Sequence, residues 1–183
     1  DASTTMREPT RAGRPKIDAA LEAARSFVAR LRFPGDQAAV VVFNADAVLL
    51  QDLTENRAAL ERALSSVVTA EFTRIDLGID AAHDELRSSR RRPGNTLALI
   101  VLTDGHNNPE PVSSAVAAAA SAKADGIRVF TIGLGDNVET EALVAMASTP
   151  DDAHFTADAE DLAAIYDRIA GVVPCPPSAH WGR

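Results

Sequence analysis

The chain has 183 residues, which suits one domain with a sizeable core, and it is 46 % apolar but only 4 % aromatic, so that core must be mainly aliphatic. A formal net charge of -8 without a basic stripe argues against a nucleic-acid-binding protein. The single cysteine, Cys175, excludes an intrachain disulfide, and no apolar run is long enough to span a membrane. Lys16 and Lys123 are the only lysines, which we interpret as a composition bias towards arginine.

The first elements along the chain are a helix and a pair of strands. Pro15 suits the first turn of a helix whose apolar residues recur at helical spacing until shortly before Phe33. Residues 37–43 contain a short, unbroken apolar run, which predicts a strand buried on both faces. Residues 48–51 predict a second strand that turns back on the first in antiparallel fashion.

Two helices are predicted next. Residues 56–66 are helical by composition, with Thr54 as the expected cap. An apolar stripe then begins at Ile75, which places Thr73 at the start of the second helix. The Thr73 hydroxyl could therefore either cap that helix or bind a ligand.

The second half of the chain continues the alternation of strands and helices. Strands are predicted at 96–103, 127–134 and 151–155, and helices at 112–125, 139–147 and 162–173. This order predicts an α/β fold with a doubly wound, mostly parallel sheet, helices on both faces and one antiparallel edge strand. We expect residues 1–173 to form the domain and the proline-rich residues 174–183, which include Trp181, to form a tail or linker.

Oxygen-bearing side chains are concentrated at the start of the chain, where Asp1, Ser3 and Thr5 alternate with other residues. Such hard ligands suit Mg²⁺ or Mn²⁺ better than zinc or copper. One short segment cannot fill six octahedral positions, so further ligands must come from elsewhere. The candidates are Thr73 and Asp104, which follows the clearest buried strand at the strand end where ligands collect in parallel sheets. Alternatively, Asp104 only begins a turn.

These three separated segments resemble the von Willebrand factor A domain. Its metal-ion-dependent adhesion site is written Asp-x-Ser-x-Ser, then a Thr, then an Asp after an apolar run and a Thr. The resemblance covers nearly the whole chain and implies that Asp1, Ser3, Thr5, Thr73 and Asp104 hold a metal ion. Thr5 stands where the family has a second Ser, but it offers the same ligand oxygen.

The same resemblance implies a first central strand before the Asp-x-Ser-x-Ser segment, and here nothing precedes Asp1. We therefore expect this chain to be part of a longer protein, with the preceding apolar strand lacking from this piece.

The function implied by the resemblance is a binding module and not an enzyme. Mg²⁺ or Mn²⁺ at the site would accept an Asp or Glu carboxylate from a protein partner, and the loops at 6–14, 72–74 and 106–111 would select that partner. The sequence does not fix the location, for which we favour the extracellular space or the cell surface.

Two other functions remain open. The segment after Asp1 is also similar to that of haloacid dehalogenase-type phosphatases, in which an Asp nucleophile and a later acidic pair, here Asp151 and Asp152, would act with Mg²⁺. Ser3 stands where that superfamily has a second Asp, and Lys123 lies inside a predicted helix. The third possibility is a structural scaffold with a vestigial metal site and no bound ion.

Overall fold

A computed structural model describes residues 1–158 and 161–173, so the predicted tail with Cys175 and Trp181 lies outside the described residues. The strands are β1 (Ala38–Phe43), β2 (Ala47–Thr54), β3 (Ala98–Thr103), β4 (Arg128–Leu134) and β5 (Ala153–Thr156). The helices are α1 (Lys16–Arg30), α2 (Arg57–Ser65), α3 (Ile75–Arg87), α4 (Val112–Ala124), α5 (Thr140–Met146) and α6 (Asp161–Val172). Two short 3-10 helices lie at Thr4–Arg7 and Pro150–Asp152. Among the described helices, none has the length and hydropathy of a membrane span.

Three of the strands form a parallel sheet in the order β3-β4-β5. Thr103 at the end of β3 lies opposite Gly133 of β4, which in turn lies opposite Phe155 of β5, so the carboxyl ends of the strands share one edge. β1 and β2 form an antiparallel hairpin in which Phe43 lies opposite Ala47. The predicted α/β fold with mostly parallel strands and one antiparallel pair is confirmed.

Alternate residues of the parallel strands face opposite sides of the sheet, as the period of two requires. Leu99 and Val129 pack into a core with α3, α4 and α5, whereas Leu102, Phe130 and Ile132 pack into a second core with α1 and α6. Both faces of the sheet are therefore covered by helices, which explains why the strands are apolar throughout.

Small residues bring two helices close to the strands. The buried face of α4 consists of alanines, which let the helix backbone approach its neighbours. A Cβ atom added to Gly78 of α3 would lie 2.5 Å from Cδ1 of Phe43, so a larger residue there would displace the ring or the helix. Gly78 is thus required for the packing of α3 on β1.

The start of α2 differs slightly from the prediction. The side chain of Asn56, and not that of Thr54, caps the helix by accepting a hydrogen bond of 3.1 Å from the backbone of Ala59. Thr54 instead accepts a hydrogen bond of 3.1 Å from the backbone of Asn56, which holds the capping residue in place.

A cleft separates β1 from β3, and the cavity between them has a volume of about 640 Å³ with mostly aliphatic lining residues. Within the described residues, β1 pairs only with β2 and β3 only with β4. The prediction that β1 is buried on both faces is wrong, because Val40, Val41 and Val42 remain half-buried beside this cleft. At one end, the backbone nitrogen of Asp1 donates to Leu102 (3.0 Å) and that of Ala2 donates to Phe43 (2.8 Å).

Candidate metal centre

Asp1 lies at the carboxyl end of β3, where its backbone nitrogen is bound to Leu102. One carboxylate oxygen, Oδ1, accepts a hydrogen bond from the backbone nitrogen of Ser3 at 2.7 Å, which closes a tight turn. The other oxygen, Oδ2, accepts a hydrogen bond of 2.7 Å from the hydroxyl of Thr103, the last residue of β3. Both bonds orient this carboxylate next to the strand end that carries Asp104.

Ser3, Thr5 and Asp104 are linked directly through their side chains. The hydroxyl of Thr5 donates to Oδ1 of Asp104 at 2.8 Å, and it lies 2.8 Å from the hydroxyl of Ser3. Because the single proton of Thr5 points to Asp104, Ser3 donates to Thr5. Ser3 and Asp104 are both only 2 % exposed, whereas Thr5 is exposed to solvent. The structure therefore brings these predicted site residues together at one edge of the sheet.

Thr73 approaches this edge from the segment between α2 and α3. Its backbone forms two hydrogen bonds with Asn108 (3.1 and 2.9 Å), which join it to the loop that follows Asp104. Thr73 as a whole residue is 6 % exposed, and its hydroxyl, which forms no hydrogen bond within the described residues, reaches solvent. Of the two predicted roles, helix capping is wrong, because α3 begins without a side-chain cap from Thr73.

The side chain of Asn107 caps the start of α3, a role that the sequence analysis did not predict. Its side-chain oxygen accepts a hydrogen bond of 3.3 Å from the backbone of Asp76 in the first turn of α3. Its amide nitrogen donates to the backbone oxygens of Glu110 (3.0 Å) and Pro111 (3.2 Å). Asn107 therefore ties the loop after Asp104 to the start of α3. The spacing of 31 residues between Asn107 and Asp76 hides this contact from any local sequence pattern.

Lys16 is the second residue that sequence reasoning missed. Its Nζ donates to Oδ2 of Asp104 at 2.8 Å and to Oε2 of Glu8 at 3.0 Å, and its side chain is 11 % exposed. Burial lowers the pKa of Lys16, but the hydrogen bonds to Asp104 and Glu8 outweigh it and raise the pKa above its ordinary value. One signal was available, since Lys16 begins α1 and a cation at a helix N-terminus opposes the helix dipole.

Asp76 lies three residues after Thr73, and its carboxylate is paired with the guanidinium of Arg74. The guanidinium of Arg74 binds both oxygens of Asp76, with distances of 2.9 Å from Nε to Oδ1 and 2.7 Å from the terminal nitrogen to Oδ2. Hydrogen bonding to Arg74 is the main cause that holds the pKa of Asp76 below its usual range. Asp76 is therefore already paired, unlike the Thr73 hydroxyl.

The residues nominated for a phosphatase do not meet at this edge. Asp152 lies just before β5 and binds Arg128, the first residue of β4, at 2.7 Å, so it belongs to the amino ends of the strands. The Nζ of Lys123 donates to the backbone oxygens of Ala145 (2.8 Å) and Ala147 (3.0 Å) at the end of α5. Neither side chain is placed to act together with Asp1.

The chemistry of the candidate oxygens suits a hard divalent cation. Hydroxyls from Ser3, Thr5 and Thr73 and carboxylates from Asp1 and Asp104 are the ligand types that Mg²⁺ and Mn²⁺ prefer. In the part of the chain that the structure describes, no cluster of three or more His, Cys, Asp or Glu side chains could hold a metal. A cation at this edge would therefore depend on the three hydroxyls as well as on the two carboxylates.

Comparisons with known proteins agree with this architecture. A curated UPF0353 protein of Mycolicibacterium paratuberculosis (strain ATCC BAA-968 / K-10) is 30 % identical over 129 residues, which is 66 % of this chain and 38 % of the relative. The chain thus spans about two fifths of the length of this relative.

Two solved structures show the same fold. The von Willebrand factor domain of the type V pili tip protein Mfa5 from Porphyromonas gingivalis has a TM-score of 0.75 at 15 % identity, and the match covers 86 % of this chain and 88 % of that one. Proximal thread matrix protein 1 from the mussel byssus, with a zinc-occupied metal-ion-dependent adhesion site, has a TM-score of 0.74 at 22 % identity, covering 92 % and 42 %. A family model matches residues 1–168, and the chain belongs to the von Willebrand factor type A domain family.

Proposed function

We propose that this chain is a cation-dependent protein-binding module. Domains of this family generally serve in protein interaction or adhesion. In the proposal, Asp1, Ser3, Thr5, Thr73 and Asp104 hold Mg²⁺ or Mn²⁺, and a protein partner contributes an Asp or Glu carboxylate at the same place.

Each proposed ligand has a distinct part in recognition. Ser3, Thr5 and Thr73 are neutral hydroxyls, so they bind a cation without cancelling its charge, while Asp1 and Asp104 contribute two negative charges. When bound, the cation would supply a positive centre that remains attractive to a further carboxylate. Thr5 is exposed at this edge, which gives a partner access to the site.

The observation that carries the proposal is the chain of side-chain hydrogen bonds that joins Ser3, Thr5 and Asp104 at one edge of the sheet. The Thr73 hydroxyl forms no hydrogen bond within the described residues and reaches solvent, so it is available to a ligand. A ligand role for Thr73 would add this hydroxyl to the oxygens of the three linked side chains.

The two similar solved structures support a divalent cation at the site and a location of this module outside the cell or at its surface. The byssus protein has its metal-ion-dependent adhesion site occupied by zinc, which supports a divalent cation at the matching place here. The donor chemistry favours Mg²⁺ or Mn²⁺ in this chain. Since the other relative is a pilus tip protein, we also propose that this module acts outside the cell or at its surface.

Replacing Thr73 with Val tests the ligand set directly. Thr73→Val keeps the side-chain shape but removes the hydroxyl, so we expect the Kd for Mg²⁺ to rise about tenfold or more, since changing even an outer-shell partner of a metal ligand has an effect of this size. The free energy of unfolding without metal should change by less than about 1 kcal/mol, because no hydrogen bond within the described residues is lost. Calorimetric titration and denaturant unfolding measure the two quantities.

Thr131→Val is the matched control for this substitution. Thr131 is a buried residue too, but its hydroxyl donates to the backbone oxygen of Leu143 at 3.0 Å. This variant should lose stability and keep its affinity for Mg²⁺. If Thr73→Val instead binds Mg²⁺ as tightly as the wild type, Thr73 is not a ligand.

The binding function is tested by capture of surface and secreted proteins on the immobilised chain. We expect captured proteins to be retained in Mg²⁺ and released by EDTA, because their acidic residue needs the cation. Asp104→Asn, treated identically in Mg²⁺, should retain none of them. Equal capture with Mg²⁺ and with EDTA would contradict a cation-dependent module and favour the scaffold alternative.

A further inference from the structure

The side chain of Lys16 binds the carboxylate of Asp104, which is one of the proposed metal ligands. Both oxygens of Asp104 are bound in this structure, Oδ1 by the Thr5 hydroxyl and Oδ2 by the Lys16 ammonium at 2.8 Å. The Asp104 side chain is completely buried, so the ion pair is shielded from water. Lys16 therefore neutralises a buried carboxylate that would otherwise be costly to keep charged without a cation.

We propose that Lys16 competes with the divalent cation for Asp104. When no cation is bound, the Lys16 ammonium takes the position of the cation's positive charge at Asp104, and this competition lowers the affinity of the site for the cation. This inference rests on the proposed function. A divalent cation bound by Asp104 and an ammonium on the same carboxylate repel each other, and the repulsion is strong where water is excluded. Binding of the cation must therefore weaken or displace the contact between Lys16 and Asp104.

Glu8 gives the ammonium a second position. Its carboxylate lies 3.0 Å from the Nζ of Lys16, and its side chain is 62 % exposed and therefore free to follow a small displacement. The Lys16 stem has four rotatable carbons and can turn towards Glu8 while Asp104 changes its partner. Gly135 also leaves space beside the Lys16 stem, since a Cβ atom at that position would lie 3.5 Å from Cε of Lys16.

This arrangement links cation binding to the segment before α1. Without a cation, Lys16 bridges Asp104 and Glu8 and so ties residue 8 to the metal centre. With a cation, we expect Lys16 to be held by Glu8 alone. The segment that carries Glu8 belongs to the rim proposed to meet the partner, so the occupancy of the site would alter the surface that the partner contacts.

The test compares Mg²⁺ and Mn²⁺ binding to the wild type and to Lys16→Met by calorimetric titration. Lys16→Met keeps an unbranched apolar stem and removes the charge, so we expect the Kd for both ions to fall about tenfold. Glu8→Gln removes the carboxylate to which the Lys16 ammonium would move when a cation binds. The ammonium should then leave Asp104 less readily, so the Kd for both ions should rise severalfold. Glu8 is exposed. This second variant does not put folding at risk.

Lys123→Met is the matched control, because it removes the only other lysine and changes the net charge by the same amount. Lys123 binds backbone oxygens at the end of α5, away from the site, so its loss should leave the Kd unchanged. Melting temperatures measured with and without Mg²⁺ provide a second readout that needs no partner.

The possible outcomes separate this inference from the proposed function. If the wild type binds Mg²⁺ and Lys16→Met binds it equally or more weakly, Lys16 is not a competitor, although the metal site stands. If the wild type binds no ion but Lys16→Met does, the competition is stronger than expected and the inference is supported. If neither protein binds Mg²⁺ or Mn²⁺, both the metal site and the role of Lys16 are overturned.

Discussion

An apolar segment of about six residues joined to the amino side of Asp1 is expected to stabilise the fold by several kcal/mol. Such a segment would enter the cleft between β1 and β3, each six residues long, and would run parallel to β3. The direction follows from the hydrogen bonds at the end of the cleft, where Asp1 binds Leu102 and Ala2 binds Phe43. A chain that arrives at Asp1 from the cleft continues these bonds along both strands.

The size of the effect follows from burial and from backbone pairing. Each fully buried Val, Leu or Ile contributes about 1.5–3 kcal/mol, and ordering each backbone residue costs about 1–2 kcal/mol. The unpaired edges of β1 and β3 would gain ladder hydrogen bonds worth about 1 kcal/mol each. The net gain is on the order of 5 kcal/mol, which corresponds to a rise in Tm of about 10 °C or more.

The experiment compares two versions of the chain that carry six added residues, one rich in Val and Leu and one made of Gly and Ser. Only the apolar version should raise the Tm and slow hydrogen exchange at the backbone amides of β1 and β3. The Gly and Ser version controls for the added length. Equal Tm values and unchanged exchange in β1 and β3 would show that the cleft does not accept a strand.

The predicted fold depended on features that can be read locally. Unbroken apolar runs such as residues 97–102 are too short for a helix and too apolar for an exposed strand, so they identify buried strands. The half-buried state of Val40 cannot be predicted from the apolar run alone, because it depends on whether another strand pairs with β1. Strand pairing is a property of the whole sheet, and the apolar run in the sequence is the same whether or not a further strand pairs with β1.

The candidate site was predictable only in part, for a related reason. Asp1, Ser3 and Thr5 form a local motif, and Asp104 follows an obvious strand, so the expected carboxyl edge brings them together. Lys16 is 88 residues away from Asp104 in sequence, and a lysine beside a candidate metal ligand belongs to no motif. Its contact depends on the angle at which α1 crosses the end of β3, which side-chain patterns do not encode.

Asp104→Asn is expected to have the second largest effect, because one carboxylate serves both the metal site and the ion pair with Lys16. The substitution keeps the side-chain shape and removes the charge. Affinity for Mg²⁺ should fall at least about a hundredfold, since outright loss of a charged ligand exceeds the tenfold to hundredfold effect of changing an outer-shell partner. In EDTA the free energy of unfolding should fall by about 3 kcal/mol, because the buried Lys16 ammonium loses its closest partner.

A double-mutant cycle separates these two effects. Adding Lys16→Met to Asp104→Asn removes the ammonium that the first change leaves unpaired, so stability in EDTA should recover by most of the amount lost. Binding of Mg²⁺ should not recover, because the charged ligand is still absent. The residual stability deficit of the double variant then measures the cost of Asp104→Asn that does not come from the unpaired ammonium. If Asp104→Asn alone retains wild-type affinity for Mg²⁺, the cation binds elsewhere and Asp104 is only the structural partner of Lys16 and Thr5.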